Sequence, residues 1–294
     1  MQAPQWITER DATWSRVEAL LNDREQRNST GMFLVEGVLG VRTALEYGWT
    51  VRALLFNSGL NLSEGARSLL DATGGDVYAV APELMAELGS RFGGVSEITA
   101  VLSHRAWDLD LVRPGPGFTA VVCGPTADPS AVGATLRAAH AFSADMVIMD
   151  AGVPDPFDPR AVHASAGAVL RVPVLTGLPV DEVIAWTRQH GELTVVGASP
   201  TGQDEASAHD FTGPTLLVVA DEQFGLPNSW RNAVDATVRT PTRDGMPGVD
   251  AAAVATMCLY EAGRQRAPKR QANAEPEPRR NDGEGFFPVG FMSA

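Results

Sequence analysis

The sequence predicts a two-part α/β protein: a small N-terminal α/β sandwich, then a larger α/β domain built on a parallel sheet. Three observations predict it. Between residues 12 and 104, short apolar runs alternate with segments of helical periodicity. A dense Pro/Gly cluster, Arg113-Pro114-Gly115-Pro116-Gly117, then marks a linker. Beyond it the alternation resumes, and its strands read as unbroken apolar runs such as FTAVVCG (118–124) and TLLVVAD (215–221). A parallel sheet covered on both faces requires strands of that kind.

Taken in order, residues 12–30 read as one helix, with Trp14, Val17, Leu20 and Leu21 at helical spacing and an arginine-bearing end. MFLVEG (32–37) is a short strand, and VLGVRTALEYGW (38–49) a helix closed by Gly48. VRALLFN (51–57) is a strand, followed by a helix over 64–73, a strand at 76–82, a helix at 83–91 and a closing strand at 97–104. In the second half, strand 118–124 leads to helix 131–142, strand 146–151 to helix 160–169. Strands at 172–177, 193–199 and 215–221 follow, with helix 180–191 between the first two. The last helix, AAAVATMCLYEAGRQR, spans 251–266. After Pro268 the periodicity is lost and a flexible tail is expected, ending in an apolar FFPVGFM. The expected parts are an N-terminal helical segment (1–30), a substrate-binding sandwich (31–107), the parallel-sheet domain (116–266) and the tail (267–294).

Of 294 residues, 23 are Lys or Arg and 36 Asp or Glu, a formal charge of −13. Residues 1–106 hold 9 basic and 13 acidic side chains, residues 107–266 hold 10 and 19. A protein that binds by neutralising phosphates should show a basic face, so the balance argues against a broad nucleic-acid surface while allowing a local one. No apolar run approaches the ~20 residues of a membrane-spanning helix, and the N-terminus shows no signal-peptide pattern, so a cytoplasmic protein without membrane contact is expected. Cys123 and Cys258 each sit in an apolar stretch and read as buried reduced thiols. No metal-ligand spacing, P-loop or dinucleotide fingerprint is present.

Four segments carry a resemblance. The first is Asp128-Pro129-Ser130-Ala131-Val132-Gly133-Ala134-Thr135-Leu136-Arg137, with its continuation at 155–169 holding Ser165 and Gly167. The second is Ala220-Asp221-Glu222-Gln223-Phe224-Gly225-Leu226, and the third Thr240-Pro241-Thr242 followed by Gly248-Val249-Asp250 and the last helix. The fourth is FLVEG with its preceding arginine-bearing helix. In order and spacing these resemble the SpoU/TrmH ribose 2′-O-methyltransferases of the SPOUT superfamily, nearest to actinobacterial 23S rRNA methyltransferases that confer resistance. The resemblance implies an L30e-like N-terminal domain, a trefoil-knotted second domain, S-adenosylmethionine (SAM) as cofactor, and a homodimer formed through the SPOUT domain. It implies a cofactor site from Val219, Ala220, Asp221, Gly225, Leu226, Thr240, Pro241, Gly248 and Val249, and catalytic roles for Arg137 and Glu222. Asp250, which departs from the family's asparagine, reads either as a new catalytic base or as a tolerated loop carboxylate. Gly225 suits a tight loop near a ligand because it has no Cβ.

The chain also departs from the family pattern. Ala131 stands where the first motif has asparagine, Gly248 and Asp250 where the third has serine and asparagine, and Ala220 and Asp221 where the second has glycine and asparagine. Leu39 occupies a position where the N-terminal domain often has arginine. With a pKa of about 12.5 or more, Arg137 is a poor base, so its expected contribution is electrostatic. His140 and His163, on helices flanking the first motif, read either as packing residues or as acid/base groups. Two functions follow as expectations: a SAM-dependent RNA 2′-O-methyltransferase acting on ribosomal RNA, or a repurposed SPOUT scaffold that acts on a small molecule or only binds.

Overall fold

The computed structural model describes residues 3–89, 96–124, 128–150, 152–219, 225–226, 228–243 and 248–267. The chain divides into two compact units. The first takes Met1–Ala106, Asp128–Arg137 and Pro154–Arg171, and the second takes Trp107–Ala127, Ala138–Val153 and Val172–Ala294. The tail expected after Pro268 lies outside the described residues.

The first unit begins with β1 (Gln5–Ile7), α1 (Ala12–Asn22), α2 (Arg24–Thr30), β2 (Met32–Glu36), α3 (Gly37–Glu46) and β3 (Val51–Asn57). It continues with α4 (Glu64–Ala72), β4 (Asp76–Val80), α5 (Pro82–Gly89) and β5 (Ile98–Ser103). The strands form one sheet in the order β1-β4-β3-β5-β2, with β5 antiparallel to both of its neighbours. Trp14, Val17, Leu20 and Leu21 of α1 pack with Leu34, Leu55 and Val101 from the sheet. The single helix expected over 12–30 is two helices. Asp23 ends α1 with its backbone N–H on the Ala19 carbonyl and caps α2 with its carboxylate, which accepts the Glu25 N–H at 2.7 Å. A short polar side chain that can cap in this way favours a break over continuation.

The second unit holds β6 (Thr119–Cys123), β7 (Met146–Met149), β8 (Val174–Leu175), β9 (Thr194–Ala198), β10 (Asp204–Glu205), β11 (Thr215–Val219) and β12 (Ala236–Arg239). All pair in parallel, in the order β10-β12-β9-β11-β6-β7-β8. Its helices are the C-terminal end of α6 (Pro129–Ala141), then α8 (Val180–Gln189), α9 (Asn228–Arg231) and α10 (Ala251–Arg266). From β6 the chain adds β7 and β8 on one side, then returns to the other. Ligands of such sheets sit at the carboxyl ends of the strands near that reversal. The Arg266 guanidinium fastens the end of α10 to the opposite rim, donating to the carbonyls of Gly117 (2.6 Å), Phe211 (2.7 Å) and Gly213 (2.7 Å) and to the Thr119 hydroxyl. Cys123 and Cys258 are buried and outside any disulfide, and burial pushes Cys258 up to about 12, which leaves it unreactive at neutral pH.

The α/β class and the parallel second sheet are as expected. The helix expected over 160–169 is shorter: α7 (Pro159–Ala164) ends in a turn through Ala166 (φ +49°) and Gly167 (φ +86°), followed by a 3-10 turn at Ala168–Leu170. The first turns of α6, together with α7 and this turn, belong to the first unit. Gly133 permits their contact, since a Cβ there would lie 2.3 Å from the Ala161 carbonyl oxygen and 2.9 Å from the Ser165 nitrogen.

His104 stacks on Phe157 with ring centroids 4.2 Å apart, and its Nε2 is buried without a hydrogen-bond partner among the described residues. Burial holds its imidazole below the ordinary value, with Asp155 pulling it up and Arg27 pushing it down. Above pH ~6.5 the ring is neutral in folded and unfolded chains alike, so its burial then carries no protonation cost. As pH falls below that value the unfolded chain takes up a proton that the folded one refuses, and stability declines until the folded pKa is passed. Thermal melts from pH 7.5 to 5.5 should therefore show a falling Tm, with a shallower slope in His104→Phe. An equal slope in both proteins would remove His104 as the cause.

Candidate functional site

Each unit carries part of the expected site. In the second unit, a cleft opens at the carboxyl ends of β9 and β12 and the start of α10, lined by Ser199, Pro200, Thr240, Thr242, Gly248 and Val249. The lining is small and uncharged. Gly225 (φ +65°) and Gly248 (φ +86°) both adopt the left-handed backbone region, which a side chain disfavours. A Cβ on Gly225 would meet the Ser199 hydroxyl oxygen at 3.4 Å, an ordinary contact, so the positive φ rather than lack of space favours glycine there. The serine that the family pattern places at 248 would be strained in that conformation, which gives the departure a backbone reason.

The other expected cofactor residues divide by role. Val219 is 1% exposed, and its carbonyl accepts the Gly124 N–H at 2.6 Å, so it ends a strand and offers no side chain to a ligand. Leu226 is buried against Gly197, where an added Cβ would lie 2.4 Å from Leu226 Cδ1. Thr240 is half-buried and Pro241 exposed, both just past β12. Ala220, Asp221 and Glu222 lie outside the described residues. Asp250 is the N-cap of α10, and its Oδ1 accepts the Ala253 N–H at 2.8 Å. Aspartate and asparagine cap helices about equally well, so the exchange from the family's asparagine preserves this role. One carboxylate oxygen of Asp250 is thus engaged in holding the helix start.

In the first unit, Arg137 is exposed and makes no hydrogen bond or ion pair among the described residues. It lines a cavity of about 440 Å³ together with Glu36, Thr99, His163 and Arg171, over walls that include Leu34, Leu39 and Val162. Arg171 is held in place by hydrogen bonds from its guanidinium to the Tyr47 and Thr43 hydroxyl oxygens, each 3.2 Å, and by stacking 5.0 Å over the Tyr47 ring. Burial pushes the Glu36 carboxyl up, and the Ser96 hydroxyl pulls it partly back. Leu39 is 72% exposed on this wall, and His140 is an exposed residue of α6 outside the lining. Sequence reasoning missed Glu36, Thr99 and Arg171. The available signal was a threonine inside the otherwise apolar run ITAVL.

Among the described residues, no group of three His, Cys, Asp or Glu side chains is placed to hold a metal ion, and no helix is long and apolar enough to cross a membrane.

Comparison with known proteins places these features. The SpoU L30e-like domain matches residues 11–100, and the SpoU rRNA Methylase family matches residues 119–260. The chain is 36% identical over 270 residues to the 23S rRNA (uridine(2479)-2′-O)-methyltransferase of Streptomyces viridochromogenes, covering 90% of this chain and 94% of that protein. The crystal structure of the SpoU methyltransferase AviRb from the same organism, in complex with AdoMet, superposes with a TM-score of 0.82 at 35% identity, over 87% of this chain and 98% of that one. The AdoMet-bound rRNA methyltransferase of Sinorhizobium meliloti superposes with a TM-score of 0.78 at 25% identity, over 88% and 97%.

Proposed function

Since the chain belongs to the SpoU rRNA methylase family and carries that family's L30e-like domain, we propose that it is a SAM-dependent RNA 2′-O-ribose methyltransferase acting on ribosomal RNA. The observation that carries this is the 36% identity to a 23S rRNA uridine 2′-O-methyltransferase over 90% of the chain, which spans both units. The alternative of a repurposed scaffold, expected from the departures at Ala131, Gly248, Asp250 and Leu39 and from the acidic charge, is not favoured. Two of those departures have local structural reasons, a left-handed backbone at Gly248 and a preserved helix cap at Asp250.

The uncharged lining at the ends of β9 and β12, and the left-handed Gly225 and Gly248, support a cofactor held mainly by backbone groups. Ser199, Thr240, Gly225, Gly248 and Val249 would hold it; when bound, SAM supplies the methyl group. A guanidinium offers five N–H donors and no acceptor. Arg137 therefore orients an RNA phosphate or stabilises the alkoxide that develops at the ribose 2′-oxygen, and does not take the proton. Glu222, in the second motif, is assigned to the catalytic region on the family pattern alone.

Dimerisation through the second unit follows the family resemblance. It is supported by Met257 and Tyr260, three residues apart on α10 and 39% and 57% exposed. A cytoplasmic location accords with a ribosomal RNA substrate and with buried cysteines outside any disulfide.

The test is incubation of the purified protein with tritiated SAM and protein-free 23S rRNA, followed by nuclease mapping. Methyl incorporation at a ribose 2′-oxygen is expected. No incorporation into ribosomal RNA would overturn the proposal.

A further inference from the structure

We propose that the cavity of the first unit is a recognition pocket for one unstacked keto base, uracil or guanine, of the RNA substrate, with Glu36 and Thr99 reading its edge. The inference rests on the RNA methyltransferase reading and adds to it a base-selective pocket on the N-terminal sheet.

The argument begins with strand register. Glu36 on β2 lies directly opposite Thr99 on the antiparallel strand β5. Directly opposed residues share one face of the sheet, with Cβ atoms about 4.5–5.5 Å apart. Both line the cavity. Thr99 is 2% exposed, and its hydroxyl oxygen has no hydrogen-bond partner among the described residues. A buried hydroxyl left in that state costs about 1–3 kcal/mol, and a valine of nearly the same shape would avoid the cost. A ligand that accepts from the hydroxyl accounts for the threonine. Glu36 stands at the N-cap position of α3 but makes no side-chain capping bond, so its carboxylate is not consumed by the helix. Partial burial raises its carboxyl, and an incoming N–H would restore the hydration it has lost.

A carboxylate beside a hydroxyl donor matches a ring N–H adjacent to a carbonyl, the lactam edge of uracil and guanine. Adenine and cytosine present an unprotonated ring nitrogen there, which would face the carboxylate lone pairs. The remaining surfaces suit a nucleotide. Leu34, Leu39 and Val162 offer apolar contact to the base. Arg137, His163 and Arg171 surround it with groups suited to phosphate, and Arg171 is already held by Tyr47 and Thr43. A volume of about 440 Å³ admits one nucleotide, within the roughly 300–1,000 Å³ of small-ligand sites. Single-stranded RNA is read in this manner, by splaying a base into a pocket and bonding to its edge.

The test titrates the full chain with UMP, GMP, CMP and AMP by calorimetry, alongside Thr99→Val and Glu36→Gln. UMP and GMP should bind roughly tenfold more tightly than CMP and AMP, the factor that 1.4 kcal/mol carries. Thr99→Val should lose about tenfold in UMP affinity while its Tm stays level or rises and SAM binding is unchanged. A structural hydroxyl would behave oppositely, with Tm falling and UMP affinity kept, and that result overturns the pocket. So does equal binding of all four nucleotides, or failure of all four to bind. Glu36→Gln should weaken UMP binding by a similar factor. Methylation of 23S rRNA, measured in parallel, separates the two proposals. Wild-type KM in both variants with active enzyme refutes the pocket and leaves the methyltransferase standing. Thr99-dependent UMP binding without any methyl transfer supports the pocket and refutes the RNA methyltransferase reading.

Discussion

Arg137→Ala should lower methyl transfer to 23S rRNA by about two to three orders of magnitude, the scale of losing one preorganised charged donor at a developing oxyanion. Its guanidinium is exposed and makes no ion pair among the described residues. The substitution therefore breaks no internal contact, and Tm should hold within a degree or two. SAM affinity, measured by calorimetry, should also hold, because the cofactor cleft is built from other residues. Arg137→Lys keeps the charge but loses the planar fork that pairs with phosphate, so it should recover only part of the rate. A rate within fivefold of wild type in Arg137→Ala would remove the residue from the reaction.

The parts of this molecule that follow local rules were legible in its sequence, and the parts that follow register or distant contact were not. Alternation and apolar runs identify most strands, because burial on one or both faces writes directly into residue order. β12 escaped this reading: ATVR is only four residues long, with a single buried side chain, yet it leads directly into Thr240 and Thr242 of the cleft. The break at Asp23 carried a capping signal that the longer helical period masked. Residues 128–137 and 154–171 belong to the first unit through contacts that no local pattern states, such as the Arg27–Asp155 ion pair and the Gly133 approach to Ala161 that joins the two segments. The motif loops were legible by resemblance, which located Arg137, Gly225 and Gly248. The pairing of Glu36 with Thr99 depends on the register between two strands more than 60 residues apart in the chain, so the lone threonine in its apolar run did not point to Glu36.

Arg27→Met should destabilise the first unit by about 3–5 kcal/mol, the cost of leaving a buried charge without its partner. The side chains of Arg27 and Asp155 are 2% and 4% exposed, and Arg27 Nε donates to Asp155 Oδ2 at 2.6 Å. Arg27 Nη1 also donates to the Leu20 carbonyl at 2.9 Å, and Asp158 lies 3.6 Å from Nη2. The other carboxylate oxygen of Asp155 accepts the Phe157 N–H at 2.9 Å, shaping the turn that leads into α7. For a chain of this size the loss corresponds to roughly 6–20 °C in Tm. A double variant distinguishes an unpaired charge from lost packing. Asp155→Asn keeps an oxygen for Phe157 but removes the charge, so Arg27→Met with Asp155→Asn should recover most of the Tm lost by Arg27→Met alone. The segment held by this pair carries His163 and Arg171 of the nucleotide pocket. Arg27→Met should therefore also raise the KM for RNA, and the double variant should restore it together with the Tm. If Arg27→Met shifts the Tm by less than two degrees, the ion pair does not hold this segment, and the positions of His163 and Arg171 need another support.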